Sequence, residues 1–457
     1  MSKKLKPVLA GLALVLVGGA LALRLHPPEM LRVGASYSAK IVCSNVFLAG
    51  RDAQAVLADD VQAPGHPLLK LMRVSVDREH KLVHADLFGF IGRGLAVYRS
   101  GTGCAVVPDG DVAAAERHQF VPTVPPAPPA ASWPQGAQAD TVATTQAILA
   151  NETLAGPGMR AIVVIHKGRL VAQRYGPGFT QDTPLLGWSM SKSVTAALIG
   201  MQVGAGKLQL AQAGFWPGDG RAAVKLADLM AMSSGLAFNE GYGDVSDVTR
   251  MLYLEPDMAA YVHAQPLAQA PGSTWNYSSG TSVLLSRIWQ QAAGADAISL
   301  PQRQLFAPLG MRSALIEADA RGTLVGSSYM YASAPDWARF GQFLLQDGVW
   351  EGKRLLPEGY VAMMSSVAPA SKGQYAKGQL WRWGPNGATP EGRDPDVAFH
   401  LPPDTYWMEG HDGQSVAIVP SQQLLVVRLG LTPHRLYYQP QGLLAAVLRT
   451  VQARPAP

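Results

Sequence analysis

A serine and a lysine three residues apart form the pair best suited to covalent chemistry in this chain of 457 residues. Ser189 and Lys192 lie within Gly187–Thr195, at the predicted start of a helix. Residues at positions i and i+3 share one face of a helix, so the Lys192 ammonium would lie beside the Ser189 hydroxyl. A serine needs a neighbouring base to become a nucleophile, and a buried lysine can supply one because desolvation lowers its pKa. The alternative is that Lys192 extends to solvent from the helix end.

Two predicted hairpins frame this pair and indicate which elements position it. The first hairpin precedes Ser189 and pairs strands 161–165 and 170–175. The second lies near the C-terminal end and pairs strands 415–419 and 424–429. Between them, apolar periodicity predicts helices, among them 189–203 and 281–291. Strands from both ends could then pair in one antiparallel sheet flanked by helices, with a helical subdomain between them. The predicted fold class is α/β, in the α+β arrangement.

The sequence predicts four segments along the chain. Residues 140–457 form the main domain. Residues 121–139 before it form a proline-rich linker, because proline disfavours regular helix and favours extended chain. Residues 27–120 form a small region rich in β-strand, where valines alternate with polar residues. Residues 1–26 form a signal peptide or a membrane anchor.

The charge and hydropathy of the N-terminus are typical of an export signal. Lys3, Lys4 and Lys6 precede an apolar run from Pro7 to Leu23. Both a cleaved signal and a retained anchor fit this pattern. We therefore expect an extracytoplasmic or periplasmic domain, anchored to the inner membrane by this segment only. The net charge of +5 comes without a dense basic run, which argues against nucleic-acid binding.

The chain has two cysteines, Cys43 and Cys104, both in the predicted N-terminal region. In an exported protein such a pair predicts a structural disulfide, and the alternative is two buried thiols. No His-Glu-x-x-His motif occurs, and we expect neither a metal nor a cofactor.

Three short motifs carry a family resemblance from about residue 140 onward. They are a Ser-x-x-Lys motif at Ser189–Lys192, a tyrosine motif at Tyr277–Ser279, and His411–Gly413 in the place of a Lys-Thr-Gly motif on an edge strand. In this order they resemble the serine β-lactamase and penicillin-binding-protein superfamily. The resemblance is nearest to the class C β-lactamase-like branch, which includes esterases, D-amino-acid peptidases and 6-aminohexanoate-dimer hydrolases.

The resemblance implies a metal-independent acyl-enzyme mechanism. Ser189 would attack a carbonyl while Lys192 and Tyr277 share the proton transfers. The backbone N–H groups of Ser189 and Gln414 would form the oxyanion hole.

The expected substrate-binding residues are those where the motifs depart from the family pattern. Ser279 replaces an asparagine, and His411, followed by Asp412 and Gly413, replaces a lysine. Serine is shorter than asparagine, and neutral histidine lacks the charge that holds a β-lactam carboxylate. We therefore expect a small-molecule carboxylic ester or small amide as the substrate. The alternatives are a peptidoglycan-active D-amino-acid peptidase, a β-lactamase, or a catalytically silent protein that binds the cell wall.

Overall fold

The structure is a computed structural model that describes residues 18–19, 21–89, 91–123 and 130–452. It divides the chain into two compact units. The first consists of the described residues through Arg99, with Cys104–Arg117 and Glu240–Pro256; the second consists of Ser100–Gly103, His118–Asn239 and the described residues from Asp257 onward. The segment Glu240–Pro256 therefore belongs with the N-terminal region, although the sequence pattern places it in the main domain.

The predicted signal or anchor segment lies mostly outside the described residues. Among the helices of the described part of the chain, none is both long and apolar enough to cross a membrane.

The first unit contains a long helix, which the sequence pattern does not predict, and a four-stranded sheet. The helix is α1 (Glu29–Phe47), and the strands, in sheet order, are β1 (Met72–Asp77), β2 (Leu82–Leu87), β3 (Ile91–Arg99) and β4 (Gly103–Val106). The predicted hairpin of β1 and β2 is confirmed, with Val76 opposite Val83. The helix lies close to the sheet, because a Cβ added at Gly94 would come within 2.2 Å of the backbone carbon of Ala35. Short helices complete this unit: α2 (Ala53–Val56), α3 (Val112–Glu116) and, much later in the chain, α8 (Asp247–Leu254).

The predicted disulfide is present in the first unit. It joins Cys43 on α1 to Cys104 on β4, with a Cα–Cα distance of 6.1 Å. Both cysteines are fully buried, so the bridge ties the helix to the sheet from inside the core.

The second unit is built on a five-stranded antiparallel sheet that pairs the two ends of the domain. Its strands, in sheet order, are β12 (Tyr406–Gly410), β13 (Gln414–Val419), β14 (Leu424–Gly430), β5 (Met159–His166) and β6 (Arg169–Tyr175). Both predicted hairpins are confirmed, and β14 pairs with β5 as expected. The edge strand β12 is the one strand of this sheet that the sequence pattern does not predict.

Helices cover both faces of this sheet. On one face α4 (Ala143–Leu149) and α13 (Gln441–Gln452) form a core with alternate strand residues such as Ile162 and Val164. On the other face lies α11 (Ala334–Leu345), where Gly341 brings the helix backbone close to Val416. Because both faces are covered, β13 and β14 are buried at every position, which explains the apolar runs 416–419 and 424–427 within them.

The middle of the second unit is mainly helical. Its helices are α6 (Ser191–Gly204), α7 (Leu226–Met230), α9 (Met258–His263), α10 (Ser279–Ala293) and α12 (Tyr360–Ser365), and α5 (Glu152–Ala155) precedes β5. A small sheet joins β7 (Leu185–Leu186), β9 (Met330–Ala332) and β8 (Leu315–Ile316), and β10 (Val349–Trp350) pairs with β11 (Lys353–Arg354). The expected antiparallel sheet with flanking helices and a helical subdomain is thus confirmed.

Candidate active site

Ser189 lies in a tight turn between a short strand and a buried helix. After β7, a 3-10 turn over Trp188–Met190 leads directly into α6. Trp188 has a φ of +49°, which is unusual for a side chain other than glycine. Gly187 leaves no room for a side chain, because an added Cβ would lie 2.2 Å from Trp337.

Ser191 stabilises this turn and does not compete with Ser189 for the lysine. Its Oγ donates to the carbonyl oxygen of Trp188 at 2.6 Å and accepts from the N–H of Met330 at 3.1 Å. The turn is thereby joined to β9.

Lys192 is buried, with 1% of its surface exposed, and its ammonium lies between three oxygen atoms. The Nζ atom donates to Ser189 Oγ, to Ser279 Oγ and to the carbonyl oxygen of Ser327, each at 3.0 Å. These bonds use the three donors of an ammonium group. Lys192 therefore does not extend to solvent, and it contacts the hydroxyl of Ser189 as the spacing of the motif predicts.

The ring of Tyr277 also lies beside the Lys192 ammonium. Its ring centroid is 4.8 Å from Lys192 Nζ, a distance at which an ammonium is attracted to an aromatic face. The ring also packs against Trp381 and Tyr375, with centroids 5.2 Å and 5.9 Å away. The structure thus brings together Ser189, Lys192 and Tyr277, the three residues that the sequence predicts as catalytic.

Ser279 begins α10 and is fully buried. The sequence predicts it as a substrate-binding residue, yet its hydroxyl accepts the hydrogen bond from Lys192. Its neighbour Ser278 caps the helix, because Ser278 Oγ accepts from the N–H of Thr281 at 3.0 Å. The geometry makes Ser279 a residue that positions the lysine.

His411, Asp412 and Gly413 form the turn between β12 and β13, whereas the motif comparison places them on an edge strand. Asp412 has a φ of +57° and Gly413 a φ of +80°, as in a three-residue hairpin loop. The ring of His411 lies edge-on to Trp188, with centroids 5.6 Å apart, and its Nε2 is 3.5 Å from Asp412 Oδ1. His411 therefore lies beside the turn that carries Ser189. The Asp412 carboxyl lies near the imidazole of His411.

The turn is anchored from behind by a buried arginine on β14. Arg428 Nη1 donates to the carbonyl oxygen of Gly413 at 3.0 Å, and Nη2 donates to Thr432 Oγ1 at 2.7 Å. The N–H of Thr432 in turn donates to the carbonyl oxygen of Asp412 at 2.8 Å. No feature of the sequence around Arg428 indicates this role.

Strand β12 presents its edge to the nucleophile. A Cβ added at Gly410 would lie 2.2 Å from the carbonyl oxygen of Gly187, so the strand and the turn are in direct contact. Trp407 exchanges two backbone hydrogen bonds with Trp381, of 2.8 and 2.9 Å, on the side away from β13. Backbone groups alternate along an antiparallel strand, so the N–H of Glu409 also points away from β13.

The same alternation applies to Gln414, whose N–H the family resemblance implies as an oxyanion-hole donor. Gln414 pairs with Gly410 across the hairpin, and the backbone groups of both residues point into the ladder. The Gln414 side chain is bound to Gly430, whose N–H donates to Gln414 Oε1 at 2.9 Å. The N–H of Gln414 is thus used within the hairpin, and the outward N–H at this edge is that of Glu409.

No cluster of three His, Cys, Asp or Glu side chains that could hold a metal ion occurs in the part of the chain that the structure describes. The Lys192 ammonium contacts Ser189 Oγ and Ser279 Oγ and lies over the ring of Tyr277, and the imidazole of His411 packs on the neighbouring Trp188. A site of this composition can perform nucleophilic acyl transfer with proton transfer by side chains.

A serine at the start of a buried helix, bonded to a lysine one turn later and facing the edge of an antiparallel sheet, defines the class of serine hydrolases with a Ser-x-x-Lys motif. The family model for beta-lactamase matches residues 149–437. The chain belongs to the beta-lactamase family.

Individual relatives resemble the chain more distantly. A 6-aminohexanoate-dimer hydrolase from Paenarthrobacter ureafaciens is 24% identical over 220 residues, which cover 44% of this chain and 55% of the relative. The chain thus spans about half the length of that curated relative.

Solved structures show the same fold. A Bacillus anthracis protein assigned as a 6-aminohexanoate-dimer hydrolase matches with a TM-score of 0.55 and 21% identity, over 65% of this chain and 81% of that one. A penicillin-binding-protein homologue from Caulobacter crescentus matches with a TM-score of 0.52 and 16% identity, over 68% of this chain and 97% of that one.

Proposed function

We propose that the protein hydrolyses a carboxylic ester or a small amide through an acyl-enzyme on Ser189. The observation that carries this proposal is the 3.0 Å contact between Lys192 Nζ and Ser189 Oγ, made by a buried ammonium beside the ring of Tyr277. A pure binding protein has no need to place these three groups together.

In the proposed reaction, Ser189 Oγ attacks the carbonyl carbon and its proton passes to the Tyr277 oxygen, which acts as a phenolate beside the Lys192 ammonium. The oxyanion that forms accepts hydrogen bonds from the N–H of Ser189 and from the outward N–H of Glu409. Such a donor typically contributes about 3 kcal/mol to the stability of the transition state. The proton then passes from Tyr277 to the leaving alcohol or amine. Water attacks the acyl-enzyme and gives its proton to Tyr277, and that proton returns to Ser189 Oγ as the acid product leaves.

The surroundings of the nucleophile favour an ester or small amide over a β-lactam. The turn contributes a half-exposed His411 where the related motif has a lysine, and the Ser279 hydroxyl is already bonded to Lys192. Neither residue offers a fixed positive charge to a ring carboxylate. The named activity of the Paenarthrobacter relative, on an amide dimer, supports a small amide within this class.

Labelling with a fluorophosphonate probe tests the proposal. The probe should label the wild-type protein and fail to label Ser189→Ala. Ser421→Ala is a matched control, since this exposed serine lies in the turn at the opposite end of β13. Equal labelling of wild type and Ser189→Ala would refute the assignment. Hydrolysis rates for nitrophenyl butyrate, a 6-aminohexanoate dimer and nitrocefin then rank the substrates, and a dominant nitrocefin rate would contradict the preference for esters and amides.

We further propose that the hydrolase acts outside the cytoplasm, attached to the inner membrane by its N-terminal segment. The charged and then apolar order of residues 1–26 supports this, and so does the buried disulfide, because such bridges persist in oxidising compartments. Protease accessibility in intact spheroplasts tests the location, and the mass of the mature chain tests whether the segment is retained. Protection from protease in spheroplasts with an intact membrane would contradict the proposal.

A further inference from the structure

A cavity of about 380 Å³ adjoins the candidate active site along the edge of β12. Its lining includes Trp381 and His411, which also border the catalytic residues: Trp381 packs on Tyr277, and His411 packs on Trp188. The cavity therefore shares two of its lining residues with the surroundings of the catalytic side chains. The catalytic steps described above use the backbone N–H of Glu409 but none of the side chains that line the cavity.

The carboxyl group of Glu409 lines this cavity without a counter-ion. Its Oε1 atom is buried and has no hydrogen-bond partner among the described residues. Burial, together with the nearby carboxylate of Asp396, raises the pKa of Glu409 well above its usual range. An unpaired buried carboxyl is costly, so its presence beside an open cavity requires an explanation.

Asp396 adds to the negative character of this region but is itself satisfied. It accepts hydrogen bonds from Trp407 Nε1 at 2.8 Å, from Gln441 Nε2 at 3.1 Å and from the N–H of Gly384 at 3.1 Å. Its partners are neutral, so they leave its charge in place when it ionises. A cation in the cavity would be attracted by both acids.

The rest of the lining also suits a cation. The lining has seven ionisable side chains besides Glu409, and five of them are exposed: Glu391, Arg393, His411, His434 and Tyr437 are exposed, and Asp412 and Tyr438 are half-buried. The indole rings of Trp381 and Trp383 contribute aromatic surface, and aromatic faces attract ammonium groups. The combination is a half-buried acid beside aromatic surface.

We propose that this cavity binds a primary ammonium group at the end of an aliphatic chain, with Glu409 as its counter-ion. The proposal rests on the proposed function in that the ammonium would belong to the ester or amide that Ser189 attacks. A bound ammonium supplies a hydrogen-bond donor to the carboxyl group of Glu409, and its charge favours the ionised carboxylate. The aliphatic chain would lie against the indole rings.

Binding of hexylamine tests the site without catalysis. Ser189→Ala protein is titrated with hexylamine and with hexanol at pH 7.5, and binding is followed by calorimetry and by tryptophan fluorescence. We expect hexylamine to bind about tenfold more tightly than hexanol, and Glu409→Gln in the same background to abolish this difference. Glu358→Gln is the matched control, because it removes the same charge from an exposed position outside the cavity lining. Equal affinity for the amine and the alcohol, or an amine affinity unchanged by Glu409→Gln, would overturn the proposal.

The kinetic arm separates this proposal from the proposed function. Nitrophenyl 6-aminohexanoate and nitrophenyl hexanoate differ in the terminal ammonium. We expect kcat/KM to favour the amino ester about tenfold, mainly through KM, in the wild type and in Glu358→Gln, and the ratio to approach one in Glu409→Gln. Amine binding without hydrolysis of either ester would leave the site standing and refute the hydrolase. Hydrolysis of both esters at equal rates would leave the hydrolase standing and refute the ammonium site.

Discussion

Lys192 Nζ donates a 3.0 Å hydrogen bond to Ser279 Oγ, although 87 residues of chain separate the two. This bond joins the start of α6 to the start of α10 inside the core. It orients the ammonium so that a second donor reaches Ser189 Oγ at the same distance. Ser279, the last residue of the tyrosine motif, therefore positions the lysine.

Replacing this partner should impair catalysis more than folding. In Ser279→Ala the lysine loses one of its acceptors, and a buried donor without a partner costs about 1–3 kcal/mol. We expect kcat for nitrophenyl butyrate to fall about tenfold to a hundredfold, on the scale of a misplaced proton-transfer group. Ser278→Ala is the control: it removes the helix cap of α10, so it should lower stability by about 1 kcal/mol and change kcat little. Equal kcat values for Ser279→Ala and Ser278→Ala would argue against a positioning role.

The contact between β12 and the nucleophile turn predicts strong sensitivity at Gly410. The methyl group of Gly410→Ala would lie 2.2 Å from the carbonyl oxygen of Gly187, so the strand must move away from Ser189. A displacement of this kind can reduce the rate about a hundredfold. Single-turnover rates with nitrophenyl butyrate measure the effect.

Gly442→Ala is the control for this substitution. Gly442 lies in α13, and its added Cβ would make only ordinary contacts at 3.7 Å. We expect its rate to match the wild type and its stability to rise slightly, because alanine favours helix over glycine. A wild-type rate in Gly410→Ala would show that β12 does not form a wall of the active site.

The disulfide should contribute to the stability of the first unit. Cys43 and Cys104 are 61 residues apart in sequence, and a bridge over a loop of that size typically stabilises a fold by about 2–4 kcal/mol. We expect the double variant Cys43→Ala/Cys104→Ala to unfold at lower urea concentration. The unreduced, denatured wild type should contain no free thiol by Ellman titration. A count of two thiols would exclude the bridge.

The buried carboxyl of Asp319 predicts a pH dependence of stability. Burial raises its pKa from 3.8 to about 6, against hydrogen bonds from the backbone N–H groups of Met258, Arg321 and Thr323. The pKa of Asp319 is higher in the folded than in the unfolded protein. The protonated carboxyl therefore contributes to the free energy of unfolding, fully below pH 3.8, and this contribution is lost as pH rises through about 6. A shift of this size corresponds to about 3 kcal/mol. Urea titrations give the free energy of unfolding at pH 4 and at pH 7.5. Between these two pH values it should fall less for Asp319→Asn than for the wild type. Equal falls in the two proteins would contradict a raised pKa of Asp319.

The parts of the fold with local sequence signals could be predicted. The apolar runs of β5, β13 and β14 are bounded by turn residues, and the Ser189–Lys192 spacing indicates a shared helix face whatever the tertiary packing. Helix α1 has no such clear signal, since its serines and β-branched residues are weak helix formers. It is helical because it packs on β3, where Gly94 admits the helix backbone.

The missed features of the site depend on contacts between distant residues. Strand β12 is defined by its pairing with β13 and by the backbone bonds between Trp381 and Trp407, neither of which a local pattern shows. A prediction that does not include β12 assigns His411–Gly413 to the edge strand. It then places the oxyanion-hole donor at Gln414. Glu409 likewise gains its importance only when its carboxyl is found in a cavity.

Identification of the acylated residue tests the central claim most directly. The protein is mixed with a slowly deacylating nitrophenyl ester, quenched in acid and digested, and the modified peptide is sequenced by mass spectrometry. The acyl group is predicted on Ser189, at one group per chain, and it should be absent from Ser189→Ala. An acyl group on another residue, or turnover of the ester by Ser189→Ala at the wild-type rate, would contradict a Ser189 acyl-enzyme supported by Lys192.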